Sequence, residues 1–203
     1  NASTITGSST FSTDLAASNS VNDQVQRVWR TTGNIVESLK FDFGSARAFT
    51  MAALFGLNVT ASATITLAGS ADNASWTTIG TMPVIQDSDG NALTRSVLFF
   101  ASTSYRYWRF SFGDSTNPLT YLEVGRAVLA NYYEPTRNFS DNYSVEYTDP
   151  SEVQFTSGRA PFYRQQNLYR RVTVNFQYLT DAQRAQLWTI FLKVGNTKPL
   201  VLS

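Results

Sequence analysis

The chain has 203 residues, 42% of them apolar and 14% aromatic, which is material for a real core; with 15% charged residues and a formal net charge of +1 it lacks the basic footprint of a nucleic-acid binder. It contains neither cysteine nor histidine. Disulfide frameworks, thiolate nucleophiles, Ser-His-Asp and Cys-His sites and histidine- or cysteine-ligated zinc are thereby excluded.

The opening stretch, NASTITGSSTFSTDLAASNS, has no basic segment followed by an apolar run. It does not read as a signal peptide, so the chain is expected to be either mature or exported by another route. No segment approaches the roughly 18 consecutive apolar residues of a membrane helix, and no membrane insertion is expected. Residues 1–27 read as an N-terminal arm. From residue 28 the apolar residues alternate in short runs, the period of a half-buried strand. Leu39, Phe41 and Phe43 alternate with Lys40 and Asp42; Ala63, Ile65 and Leu67 alternate with Thr64 and Thr66; Trp108, Phe110 and Phe112 take one phase of RYWRFSF while Tyr107, Arg109 and Ser111 take the other. Turn-forming clusters, SADNAS, QDSDGNA and GDSTNP, separate the runs. Strands at this spacing predict a β-sandwich over 28–130.

A Pro-containing, turn-rich stretch between Asn131 and Asn142 separates this region from a small β-rich segment, 131–203. There RRVTVNFQYL predicts a strand with Val172, Val174, Phe176 and Tyr178 facing inward. A helix follows over about 180–194, with Leu187, Ile190, Phe191 and Val194 at helical spacing. Thr180 is its N-cap, Gln183 completes a capping box, Gly195 stops it and Pro199 lies beyond. The KPLVLS end reads as a final strand. A segment of this size is marginal alone, so it is expected to lean on the first domain, on the N-terminal residues or on another subunit. No internal repeat is evident.

The acidic residues lie mostly in turn clusters, where Asp caps turns and stays solvated, so the reading is non-catalytic. QDSDGNA shares the acidic spacing of a calcium loop, but Arg95 and Ser96 stand where the closing glutamate would be required. It reads as a turn, and neither a metal nor a cofactor is expected. Chance accounts for the five Asn-x-Ser/Thr triplets in so Asn- and Ser-rich a chain. Aromatic side chains either fill a core or stack on sugar rings. Trp108, Phe110 and Phe112, by their alternation, and Trp76, at a strand start, are assigned to the core. The glycan-binding candidates are Trp29, Arg30, Asn58 and, in the GDSTNP loop, Asp114 and Asn117, because they flank predicted strands. Leu187, Trp188, Phe191 and Val194 are the assembly candidates, expected to pack on the back sheet or on a neighbour.

The order of VWRTTG, LKFDFG, SADNASW, YRYWRFSF and YLEVGRAVL resembles the discoidin-like, coagulation-factor type C family of galactose-binding-like β-sandwiches. The matching features are Asp42, Phe43 and Gly44 at a strand end, Ser70, Asp72 and Trp76 around a turn, and Arg106, Tyr107 and Arg109 in a later strand. The resemblance covers about Val28 to Ala130. It implies a mainly β, galactose-binding-like jelly-roll sandwich followed by the small β-rich segment with one C-terminal helix, and a binding role toward glycans, lipids or proteins through loops at one end. The family's usual cysteine pair is absent. The closing segment resembles the end of bacteriophage tail-tip and baseplate proteins: an Arg-led strand from Arg170 to Tyr178, Leu179 to Ala182 opening a helix, Gly195, and an apolar strand from Leu200 to Leu202. This implies a structural virion protein whose partners are other tail or baseplate proteins and copies of itself, with the sandwich either touching host surface glycans or acting as a spacer. The alternative is a carbohydrate-binding module of a secreted, extracellular glycan-active protein.

Overall fold

The computed structural model describes residues 2–140 and 143–195. The chain divides between Tyr132 and Tyr133 into two compact units. The front unit contains β1 (Thr4–Gly7), two short 3-10 turns, β2 (Trp29–Arg30), β3 (Glu37–Phe55), β4 (Thr64–Ser70), β5 (Thr77–Met82), β6 (Arg95–Gly113), β7 (Glu123–Val124) and β8 (Arg126–Ala130). The second unit contains β9 (Ser144–Thr148), β10 (Glu152–Phe155), β11 (Pro161–Arg164), β12 (Tyr169–Thr173) and α1 (Asp181–Val194).

Alternation builds the front core. Leu39 and Phe41 on β3, Ile65 and Leu67 on β4, and Trp108, Phe110 and Phe112 on β6 are buried in one cluster, with Phe43 only packed against its margin. The antiparallel register sets Leu39 opposite Phe110 and Phe41 opposite Trp108, and Leu67 opposite Phe110 on the other side. Equal phases therefore meet on one face.

β3 and β6 are 19 residues each and serve both layers of the sandwich. Their Glu37–Asp42 and Tyr107–Phe112 halves lie in the sheet β1-β3-β6-β4-β5. Their Met51–Phe55 and Arg95–Phe99 halves pair with each other, and β8 joins beside β3. Ala52, Leu54 and Ala127 of that second layer belong to the same buried cluster, so one curled pair encloses the core. The ladder slips between Asp42 and Arg47. There Gly44 takes φ +73°, Asp42 Oδ1 accepts its N–H at 2.7 Å, and Arg106 donates to both Asp42 oxygens at 2.9 and 3.0 Å. The Asp-Phe-Gly pattern and the arginine opening Arg-Tyr-Trp-Arg are thus the two halves of one bulge clamp. These charge-assisted hydrogen bonds from Arg106 hold the Asp42 carboxyl below the usual carboxylate range and raise Arg106 in turn.

The N-terminal stretch, described from residue 2, belongs to the front unit: β1 is an edge strand on β3, from Thr4 opposite Asp42 to Gly7 opposite Leu39. A Cβ on Gly7 would meet the Trp29 indole at 2.7 Å, so glycine there lets the tryptophan close against the strand.

The second unit pairs β12 with β9 and β10 with β11 in separate two-stranded ribbons. Its helix has the expected ends. Thr180 Oγ1 accepts the Gln183 N–H at 3.3 Å, Gln183 Oε1 accepts the Thr180 N–H at 2.9 Å, and Gly195 donates to the Phe191 carbonyl. The inward set is a correction. β12 pairs with β9 over five residues and ends at Thr173; Val172, Val174 and Tyr178 are exposed, and Phe176 is half-buried. Of the assembly residues, Trp188 and Phe191 are exposed and stack on each other with centroids 5.4 Å apart, while Leu187 and Val194 are half-buried. No described residue of the second unit is buried, so α1 and the ribbons enclose no core among the described residues. Pro199 and the predicted KPLVLS strand lie outside the described residues.

Candidate functional site

The loops at one end of the sandwich collect the sequence-predicted glycan residues, and spend them. Trp29 is fully buried, 6.1 Å from Phe112 between ring centroids, with Nε1 donating to the Ser9 carbonyl at 2.9 Å. It is a core residue and offers no face to a sugar. Arg30 pairs with Glu123 at 2.6 Å, and its guanidinium lies 4.3 Å over the Tyr121 ring. Asn58 Oδ1 accepts the Glu123 N–H at 2.7 Å and its Nδ2 donates to the Tyr121 carbonyl. Asn117 Nδ2 donates to the Asn58 carbonyl at 2.9 Å. Asp114 accepts both the N–H and the hydroxyl of Thr60, at 2.7 and 2.6 Å. Asp114 and Asn117 are buried. The five residues do come together, but their polar atoms tie loops to one another, which satisfies buried donors and acceptors and leaves little for a ligand.

A different constellation stands on the outer face of the five-stranded sheet, built by the SADNASW turn. Ser70 Oγ accepts the Asn73 N–H at 2.9 Å and donates to Asp72 Oδ1 at 2.9 Å. Asp72 Oδ1 also accepts the Ala74 and Ser75 N–H groups at 2.9 and 2.8 Å. Those two backbone hydrogen bonds, with that from Ser70, hold the Asp72 carboxyl down at about 2. Asn73 adopts φ +63° to close the turn. The turn delivers Trp76 immediately before β5, half-buried, with the Arg109 guanidinium 4.1 Å over its ring. Trp76 is therefore a surface aromatic, a correction to its assignment as core.

The register decides what surrounds the indole. Thr6 on β1 lies opposite Lys40 on β3, and Lys40 lies opposite Arg109 on β6. All three occupy the polar phase of strands whose other phase fills the core. An open pocket of about 210 Å³ is lined by Thr6, Ser8, Lys40, Asn73, Trp76 and Arg109 among others. Lys40 and Arg109 were in view in the sequence as the outward phase of their runs. What was missing was the cross-strand register that makes them neighbours.

The QDSDGNA segment is the expected turn, with Asp87 Oδ1 accepting the Asp89 and Asn91 N–H groups. Among the described residues no cluster of three acidic side chains could hold a metal ion, and no helix is long and apolar enough to cross a membrane.

No protein-family model matches the chain, and no curated protein matches it. Solved structures do. A CBM32 module, CBM32-3, from a family 31 glycoside hydrolase of Clostridium perfringens superposes with a TM-score of 0.53 at 17% identity, covering 63% of this chain and 91% of its own. Chitosan-binding module 1 of a chitosanase/glucanase from Paenibacillus sp. IK-5 gives 0.51 at 16% identity, covering 62% and 92%. The Clostridium perfringens module CpGH89CBM32-5, in complex with GalNAc-β-1,3-galactose, gives 0.50 at 14% identity, covering 63% and 94%. The fold is thus the galactose-binding-like β-sandwich of carbohydrate-binding modules. These neighbours are non-catalytic modules, some of them attached to enzymes.

Proposed function

We propose that the front unit is a non-catalytic glycan-binding module whose sugar contacts the outer-face pocket at Trp76. The observation that carries this is an indole with exposed surface beside a pocket edged by hydroxyls, an amide and two cations, on a fold shared with modules described as binding chitosan or a galactose-containing disaccharide. An aromatic surface packs on the C–H face of a sugar while adjacent polar groups fix its hydroxyls. A volume of about 210 Å³ suits one ring of a longer chain, since enclosed small-molecule clefts start at roughly 300 Å³. An extracellular location in a glycan-active protein agrees with this reading.

The test is glycan-array and affinity-electrophoresis binding of the chain and of Trp76→Ala. Captured glycans should lose about tenfold or more in affinity on that change, with the melting temperature almost unmoved because the indole is not part of the core cluster. Equal binding by the variant, or no glycan captured from a broad panel, defeats the proposal.

A second reading, a structural subunit of a tailed-phage tail tip or baseplate that displays the sandwich, has one observation in its favour. The described residues of the second unit include none that is buried, yet Tyr147, Phe155, Phe162 and Trp188 among others lie exposed. Apolar surface of that kind calls for cover by another chain.

A further inference from the structure

We infer that the outer-face pocket selects sugars bearing an anionic group, a carboxylate or a sulfate, with Lys40 and Arg109 as the anion-binding pair. The inference rests on the glycan-binding reading and names its ligand class.

Lys40 and Arg109 are directly opposite on neighbouring antiparallel strands, a placement that brings Cβ atoms within about 4.5–5.5 Å and makes like charges repel. Neither forms an ion pair among the described residues, where the pairs are Arg30–Glu123, Arg106–Asp42, Arg126–Asp23 and Arg184–Asp181; Asp42 acts on Lys40 only through space. The acids nearest in the fold are engaged elsewhere. Asp42, next on the same face of β3, gives both oxygens to Arg106. Asp72 turns its Oδ1 onto its own loop. Glu37 accepts the hydroxyls of Ser8 and Ser9.

Arg109 is held in a telling way. Its guanidinium rests on the Trp76 ring, and its Nε is buried without an acceptor. Among the described residues the head is positioned by a cation–π contact and by no hydrogen bond, which leaves its donor fork available. A guanidinium fork matches the two oxygens of a carboxylate or sulfate, and an ammonium beside it adds a compact second charge. An anionic group between the two cations would replace their mutual repulsion with attraction, while Thr6 and Asn73 line the same pocket.

The experiment is calorimetric titration of the full chain with three oligosaccharide sets of matched length: oligo-uronates, sulfated oligosaccharides and neutral counterparts, at low and at high salt. Acidic ligands should bind about tenfold or more tighter than neutral ones at low salt, with the advantage shrinking as salt screens it. Lys40→Gln should lower acidic-ligand affinity about tenfold more than it lowers neutral-ligand affinity, Lys40→Arg should restore it, and unchanged melting temperatures certify both folds. Uronate and sulfate arms distinguish the two sources of the anion. Neutral ligands binding as tightly as acidic ones, or an acidic preference that survives Lys40→Gln, overturns this inference while the glycan-binding reading stands. Absence of binding in all three arms overturns that reading as well. Acidic binding insensitive to Trp76→Ala assigns the charge effect to another surface and also overturns it.

Discussion

Trp108 shows what a single side chain contributes to this sandwich. It is fully buried, ringed by Phe49, Tyr105 and Phe100 at centroid distances of 5.3, 5.8 and 5.9 Å, and its Nε1 donates to the Tyr105 carbonyl at 3.0 Å. Truncation would open a cavity that these rings cannot collapse into and strand that carbonyl. Trp108→Ala should therefore lower the unfolding free energy by about 3–5 kcal/mol, read as a shift in urea midpoint at constant slope; a shift near zero would contradict its place at the centre of the core. Trp108 was legible because it sits in an alternating run whose phase is unambiguous. Trp29 and Trp76 were not: the first lies in the core and the second at the surface, the reverse of their sequence assignments. β2 is only two residues long, too short for any phase, so nothing local announced that Trp29 turns inward. Trp76 follows a turn whose hydrogen bonds pass through Ser70 and Asp72, and its final direction depends on Arg109, distant in sequence and brought near only by strand pairing.

Among the elements, the bulge in β3 is the one whose failure would be felt in both layers. Gly44 has φ +73° there, and an added Cβ would meet nothing closer than Ser3 Oγ at 3.7 Å. Gly44→Ala thus isolates a conformational cost with no steric one. The expected loss is about 1–2 kcal/mol, measured by thermal or denaturant unfolding; a neutral result would mean that the bend does not depend on the left-handed residue. Local chemistry of this sort carries through from sequence to structure. The α1 caps were readable for the same reason, since the Thr180–Gln183 box closes within four residues. Length of pairing was not readable. The alternation of apolar residues continues past Thr173 to Tyr178, but a strand extends only as far as its partner, and that partner ends at Thr148 and Ser144.

For the whole molecule, the contrast is between a front unit with a shared core and a second unit with no buried residue among those described. Two-stranded ribbons are marginal by themselves, and the hydropathy pattern alone could not say whether the apolar stripe of α1 faces a sheet or a neighbouring chain. Light scattering over a concentration series should show a discrete oligomer if copies of the chain cover this surface, and Trp188→Ser with Phe191→Ser should return it to monomer mass. A monomer at every concentration would remove self-association as the cover. The front unit has a further property that follows from β3 and β6 running through both of its layers. Layers joined only by loops can slide past one another; here the same two strands run through both layers across a bulge, and any such movement would have to break their pairing. The outer face is consequently pre-shaped, and for a sugar bound there as proposed the entropy lost would fall on the sugar chain rather than on the protein.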